Sequence, residues 1–307
     1  MSDAMIFDED LYKRFFEIVG SPEEGKRVSQ SKAAQAMGYS AGVVSAYKNR
    51  AYNGNVKALE ERIGAWLKRE ARRLARVDVP TAGTIVMEQV HRAITIAQDE
   101  ADIAVVIGEA GAGKTTALRQ YAKESHSALL VDVDPSFSKV VLMNEIARAL
   151  GVEDKGGMNA VIERVIEALK DRDTVLLIDE ADYLSDGSLE LVRRVINDKA
   201  RTGVVLAGLP TLEYKIRSLA HNHEQIISRV GVMVKLGRLK KADAGKILSG
   251  VWADLPEETL EAFIKGAGGS TRTLVKLIGR VHQLMGINRT EKPDADVIAT
   301  AGELLMR

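Results

Sequence analysis

The stretch GEAGAGKT, residues 108–115, constrains this chain more than any other. It satisfies the pattern G-x-x-x-x-G-K-[S/T] at every fixed position. It also stands where such a loop works, after the apolar run IAVVIG (103–108) and before a helical pattern opening at Thr115 and Thr116. Strand, glycine-rich loop and helix in that order predict an α/β nucleotide-binding architecture. Gly111 and Gly113 let the backbone curl, so that the N–H groups of this loop, Gly108, Glu109, Ala110 and Ala112 included, point inward at a β-phosphate. The N-terminus of the following helix adds the positive end of its dipole. Lys114 is expected to reach the β- and γ-phosphates of ATP, and Thr115 to offer its hydroxyl to Mg²⁺. The predicted nucleotide-binding set on this loop runs from Gly108 to Thr116.

Four more apolar runs follow: ALLVDV (128–133), TVLLIDE (174–180), GVVLAG (203–208) and GVMVKL (231–236). Short, continuous apolar runs alternating with amphipathic helices predict a mainly parallel sheet covered by helices on both faces. Helical patterning alone occupies residues 1–75 and returns from about 240. The expected organisation is therefore an all-α domain at 1–75, a linker at 76–84, an α/β subdomain at 85–238 and a helical lid at 239–307. The run at 174–180 delivers Asp179 and Glu180 at the end of its strand. Asp179 suits nucleotide-bound Mg²⁺, and Glu180 is placed to take a proton from the attacking water. With Ala181 and Asp182 the stretch spells D-E-A-D, a helicase signature, but Ala181 and Asp182 need no catalytic role. Only 125 residues follow Asp182, and the last of them read as helix. A helicase of that class needs a second α/β domain of roughly 150 residues there, so the helicase reading fails.

The 43 basic and 43 acidic residues cancel, which by itself disfavours a nucleic-acid partner. Their distribution does not. Between residues 48 and 76 lie Lys48, Arg50, Lys57, Arg62, Lys68, Arg69, Arg72, Arg73 and Arg76, opposed only by Glu60, Glu61 and Glu70. Just before them, QSKAAQAMGYSAGVVSAYKN (30–49) fits a helix-turn-helix template. Ala34 is small where two helices touch, Gly38 permits the turn, and Ser40 suits the N-cap of the second helix. Ala33, Met37, Tyr39, Val44 and Tyr47 point inward. The outward face of that second helix (Ala41, Gly42, Ser45, Ala46, Asn49) has few groups able to read bases. Ser40, Ser45, Lys48, Asn49 and Arg50 are the candidate DNA contacts here, a set suited to holding phosphates without reading much sequence. The chain has no cysteine and no apolar run of the roughly 18 residues that span a bilayer. A cytoplasmic protein, with no membrane partner, is expected.

A phosphate loop, an Asp-Glu strand end about 65 residues later and a helical C-terminal bundle together resemble the AAA+ ATPases. That resemblance implies ATP bound between neighbouring subunits. ISRVG (227–231) looks like the arginine-finger segment, so Arg229 would act on a neighbour's γ-phosphate. GGSTRTLVKLIGRV (268–281) looks like the sensor-2 helix, with Arg272 facing the nucleotide of its own chain. The polar sensor-1 residue belongs within 206–212. Leu209 stands there instead, leaving Thr211 as a substitute or hydrolysis as a slow timer. The helix-turn-helix, followed by YNGN…ALEERIGAWLKR (52–69) and an AAA+ module with IDEAD, resembles the family of phage Mu transposition protein B. The fold this implies is a P-loop AAA+ module, a parallel sheet with helices on both faces plus a C-terminal helical lid, preceded by an all-α helix-turn-helix domain. The activity it implies is ATP hydrolysis controlling largely nonspecific binding to double-stranded DNA. The implied partners are a homo-oligomer or helical filament and a DDE-type transposase, in a bacterial or phage-infected cell. Ser138, Lys139 and Lys155 are the candidate DNA contacts of the ATPase loops. A helicase loader or replication initiator and an ATP-gated helix-turn-helix regulator are the alternatives. The first would need a helicase-binding segment, and the second would discriminate an operator from random DNA.

Overall fold

The computed structural model describes residues 7–21, 28–74, 77–170, 172–222, 229–288 and 290–305. The chain divides into two compact units, Met1–Val77 and Asp78–Arg307. The first contains helices α1 (Glu9–Ile18), α2 (Gln30–Met37), α3 (Ala41–Lys48) and α4 (Val56–Leu74). α4 buries Leu59, Ile63, Trp66 and Leu67, a 3.6-residue periodicity, against Phe15, Ala33, Ala34, Met37, Val44 and Tyr47. α2 ends at Gly38, whose φ of 76° lies in the left-handed region, and this turns the chain into α3. A side chain would be strained at that angle. Ser40 occupies the N-cap of α3 as expected, but its hydroxyl makes no capping bond.

The second unit opens with α5 (Ile85–Glu100) and then alternates strands and helices. The strands are β1 (Ile103–Ile107), β2 (Ala128–Asp132), β3 (Val175–Asp179), β4 (Gly203–Gly208) and β5 (Val230–Lys235). Between them lie α6 (Lys114–Glu124), α7 (Lys139–Leu150), α8 (Met158–Leu169), α9 (Asp186–Val192) and α10 (Pro210–Asn222). A π-helical turn, Arg193–Lys199, prolongs α9. The sheet is wholly parallel in the order β2-β3-β4-β1-β5. The three inner strands are fully buried, while the edge strands β2 and β5 are partly open. That difference is why the inner runs read as unbroken apolar sequence. Alternate residues feed the two faces: Ile103, Val105 and Ile107 join the core beneath α7 and α8, and Ala104 and Val106 join the core beneath α5 and α6.

Four helices complete the unit: α11 (Lys241–Ser249), α12 (Glu257–Ala267), α13 (Thr271–Asn288) and α14 (Ala295–Glu303). Their core includes Phe263, Leu274, Leu277, Ile278, Val281 and Ile298. Asp243 of α11 is 1% exposed, and its Oδ1 accepts the Ile85 N–H at 2.7 Å. A lid carboxylate thus satisfies one of the orphan donors that open α5.

Candidate nucleotide site

β1 runs into the phosphate loop and α6 leaves it. Gly111 and Gly113 take φ values of 82° and 106°, which is why the loop needs glycine at those two places. Gly111 is also closely approached: a Cβ there would lie 2.6 Å from Ser270 Oγ and 2.9 Å from Arg272 Cβ. The Arg272 N–H donates to the Gly111 carbonyl at 3.2 Å, so the first turn of α13 sits directly on the loop. Lys114 begins α6 with its ammonium folded inward, donating to the Gly108 carbonyl at 2.6 Å and the Glu109 carbonyl at 3.2 Å. Burial pushes its pKa down from the usual lysine value. The Asp179 and Asp182 carboxylates pull it back up, and the Arg272 guanidinium adds to the lowering.

A cleft of about 440 Å³ opens over this loop. Its wall brings together Ala110, Gly111, Gly113, Lys114, Thr115, Thr116, Asp179, Glu180 and Arg272 from the predicted set. Gly108, Glu109 and Ala112 lie in the same loop outside that wall; Glu109 and Ala112 line a neighbouring hollow with Arg238. Asp179 is 2% exposed at the end of β3 and accepts the Glu180 N–H at 3.0 Å. Glu180 is exposed, with φ 55° and ψ 34°, a left-handed conformation that costs a non-glycine residue roughly 1 kcal/mol. The 3₁₀ turn Ala181–Tyr183 follows it directly. Thr115 and Asp179 offer hard oxygen donors suited to Mg²⁺. Among the described residues no group of three or more His, Cys, Asp or Glu side chains could hold a metal by itself.

A second, apolar pocket of about 220 Å³ adjoins the cleft, sharing Gly113, Thr116, Thr271 and Val275 with it. Val79, Pro80, Val86 and Met87 line one side, and Ile247 of α11 another. Residues 78–84, read from the sequence as linker, belong to the ATPase unit and form part of this pocket. Proline and glycine read as a linker over 76–84, and nothing local marks Val79, Pro80, Thr81, Ala82 or Thr84 as pocket wall. Asp182, Tyr183, Val275 and Lys276 also line the main cleft without having been expected there, and Leu209, read as standing at the sensor-1 position, lines it too.

Arg229 does not join the cleft. It precedes β5, its carbonyl accepts the Ile103 N–H at 2.9 Å, and its guanidinium pairs with Asp198 at 3.0 Å. It therefore lies at the opposite end of β1 from the phosphate loop, a separation of roughly 16 Å for a five-residue strand. The candidate DNA contacts of the ATPase are also spread out. Ser138 caps α7, accepting the Val141 N–H at 3.3 Å, and Lys139 follows it, exposed. Lys155 lies in the loop beyond the other end of α7, where its carbonyl accepts from the Arg164 guanidinium of α8. In the helical unit, Ser40, Ser45 and Asn49 are exposed and Lys48 is half-buried. Arg50 is engaged within the unit: it stacks on Tyr12 with 3.7 Å to the ring centroid and pairs with Glu9 at 2.6 Å. Arg62 donates to the Met37 carbonyl at 2.9 Å, capping α2. Lys57, Lys68 and Arg69 are exposed, whereas the side chains of Arg72, Arg73 and Arg76 lie outside the described set.

Parallel sheet, phosphate loop, Asp-Glu strand end and helical lid define an AAA-class P-loop ATPase, and the AAA domain family matches residues 96–216. The same fold occurs in the Thermotoga maritima RuvB Holliday junction branch migration motor, with TM-score 0.51 and 20% identity over 72% of this chain and 68% of that one. It occurs again in the Aeropyrum pernix ORC2 protein, with TM-score 0.56 and 14% identity over 75% and 71%. The chain belongs to the family of Mu-like DNA transposition protein B. It is 30% identical over 259 residues to the Mu-like prophage FluMu DNA transposition protein B of Haemophilus influenzae, covering 81% of this chain and 90% of that protein. It is also 27% identical over 247 residues to the ATP-dependent target DNA activator B of Escherichia phage Mu, covering 78% and 77%.

Proposed function

We propose that this ATPase binds double-stranded DNA with little regard to sequence, assembles on it when ATP is bound, and presents that DNA as target to a transposase. The observation that carries this reading is the similarity to the transposition proteins, which extends over most of their length as well as this chain's. The architecture supports it. A helix-turn-helix whose outward face is poor in base-reading groups accompanies an ATPase whose own Arg229 cannot reach its own cleft. ATP would seat its base in the apolar pocket and its phosphates on the loop amides, with Lys114 and Arg272 offsetting their charge. Mg²⁺ held by Thr115, Asp179 and the phosphates would supply further charge neutralisation. Glu180 would take the proton of a water attacking the γ-phosphorus as the bond to the β-phosphate breaks. A neighbour's Arg229 would stabilise the charge that develops. Assembly would multiply weak phosphate contacts into tight binding, and loss of the γ-phosphate would undo it.

Electron microscopy with random duplex DNA tests this directly. Ordered assemblies on DNA with ATP, and none with ADP, are expected. Assemblies that ignore nucleotide would refute the switch. Binding to one duplex sequence far above all others at matched salt would instead support a regulator that reads an operator.

A further inference from the structure

The cleft wall at the end of β4 offers no polar side chain, because Gly208 and Leu209 supply it. One peptide unit between these two residues nevertheless joins both halves of the site. Its carbonyl, on Gly208, accepts the Gly108 N–H at 3.2 Å where the phosphate loop begins. Its N–H, on Leu209, donates to Asp182 Oδ1 at 3.0 Å. The approach requires Gly208, since a Cβ there would lie 2.6 Å from that same oxygen. The turn carrying Asp182 is fastened again by α10, whose Lys215 Nζ donates to the carbonyls of Asp182 at 2.6 Å and Leu184 at 2.7 Å. The β3–β4 ladder stops at Ile178 and Leu206, so past the strand ends these bonds link the two segments.

Asp182 lines the cleft as a third carboxylate beside Asp179 and Glu180. Asp182 helps to keep Lys114 charged, as Asp179 does more strongly, but next to a triphosphate a further negative charge is repulsive, so electrostatics alone does not account for it. Geometry does. We propose that Asp182 is a positioning residue for hydrolysis. Through the 208–209 peptide it fixes the Glu180-bearing turn against the phosphate loop, keeping a Glu180-held water in line with the γ-phosphate. The proposal rests on the cleft being the ATP site.

The test measures steady-state hydrolysis and binding of a fluorescent ATP analogue for D182A, D182N and G208A, beside K114A. D182A should lose about tenfold or more in kcat, with analogue Kd within about twofold of the parent, because orientation is lost and not binding. D182N keeps an oxygen that accepts the Leu209 N–H and should recover to within about threefold. G208A retains the carboxylate but crowds it away from the Leu209 N–H, and should be as slow as D182A even if D182A folds poorly. Parental kcat in D182A, or D182N as slow as D182A, overturns the proposal. Parental analogue binding by K114A would overturn the assignment of the cleft itself, whatever the Asp182 series shows.

Discussion

Lys114 is 9% exposed, and its charge is satisfied by two backbone carbonyls. An anion entering the loop offers that ammonium a better partner. Lys114→Ala should abolish nucleotide binding and with it ATP-dependent DNA binding in a gel-shift assay; unchanged DNA binding would mean that nucleotide does not govern it. Because burial lowers the Lys114 pKa, its charge is lost earlier on raising the pH than that of an exposed lysine. Analogue affinity should accordingly begin to fall with rising pH before an exposed lysine would titrate. Glu180 holds a strained backbone at the exit of β3. Glu180→Gln should bind ATP normally, hydrolyse it about 10²-fold or more slowly, and stay trapped on DNA. Rapid nucleotide-driven release in that variant would remove Glu180 from the water-activating role. These residues were legible in the sequence because each belongs to a contiguous motif with a fixed strand or helix beside it. The bond of Asp182 to the Leu209 N–H is not legible in this way, because Leu209 lies 27 positions on and only the folded sheet brings the two together.

At the level of elements, the inner strands announced themselves as continuous apolar runs, and the helix-turn-helix through Ala34 and Gly38. The apolar pocket did not, since its walls run from Val79 to Val275 and no local pattern connects them. Nor could charge counting reveal that Arg50 and Arg62 are consumed within the helical unit by aromatic rings and a helix end. Lid and α/β layer are coupled through Asp243 and Ile85. Asp243→Ala leaves the Ile85 N–H without its acceptor and should cost about 1–3 kcal/mol. Urea unfolding followed at Trp252, in a Trp66→Phe background that silences the other unit, should show a lower midpoint. Asp243→Asn, which keeps an acceptor oxygen, should recover part of it. An unchanged midpoint in Asp243→Ala would show that the bond adds nothing.

For the molecule as a whole, the position of Arg229 is decisive. If it completes a neighbour's cleft, Arg229→Ala and Lys114→Ala should each be nearly inactive as ATPases, and mixing them should restore activity. The mixture creates interfaces that pair an intact cleft with an intact arginine. Absence of any recovery in the mixture would mean that Arg229 does not act across subunits. The same geometry has a consequence for unequal ends. In an open row of such subunits, every cleft is completed by the next molecule except the last one. If Arg229 acts in this way, that terminal subunit would keep its ATP after the rest have spent theirs, and the two ends of the row would differ in bound nucleotide. Diluted single chains, which are all termini, should hardly consume ATP.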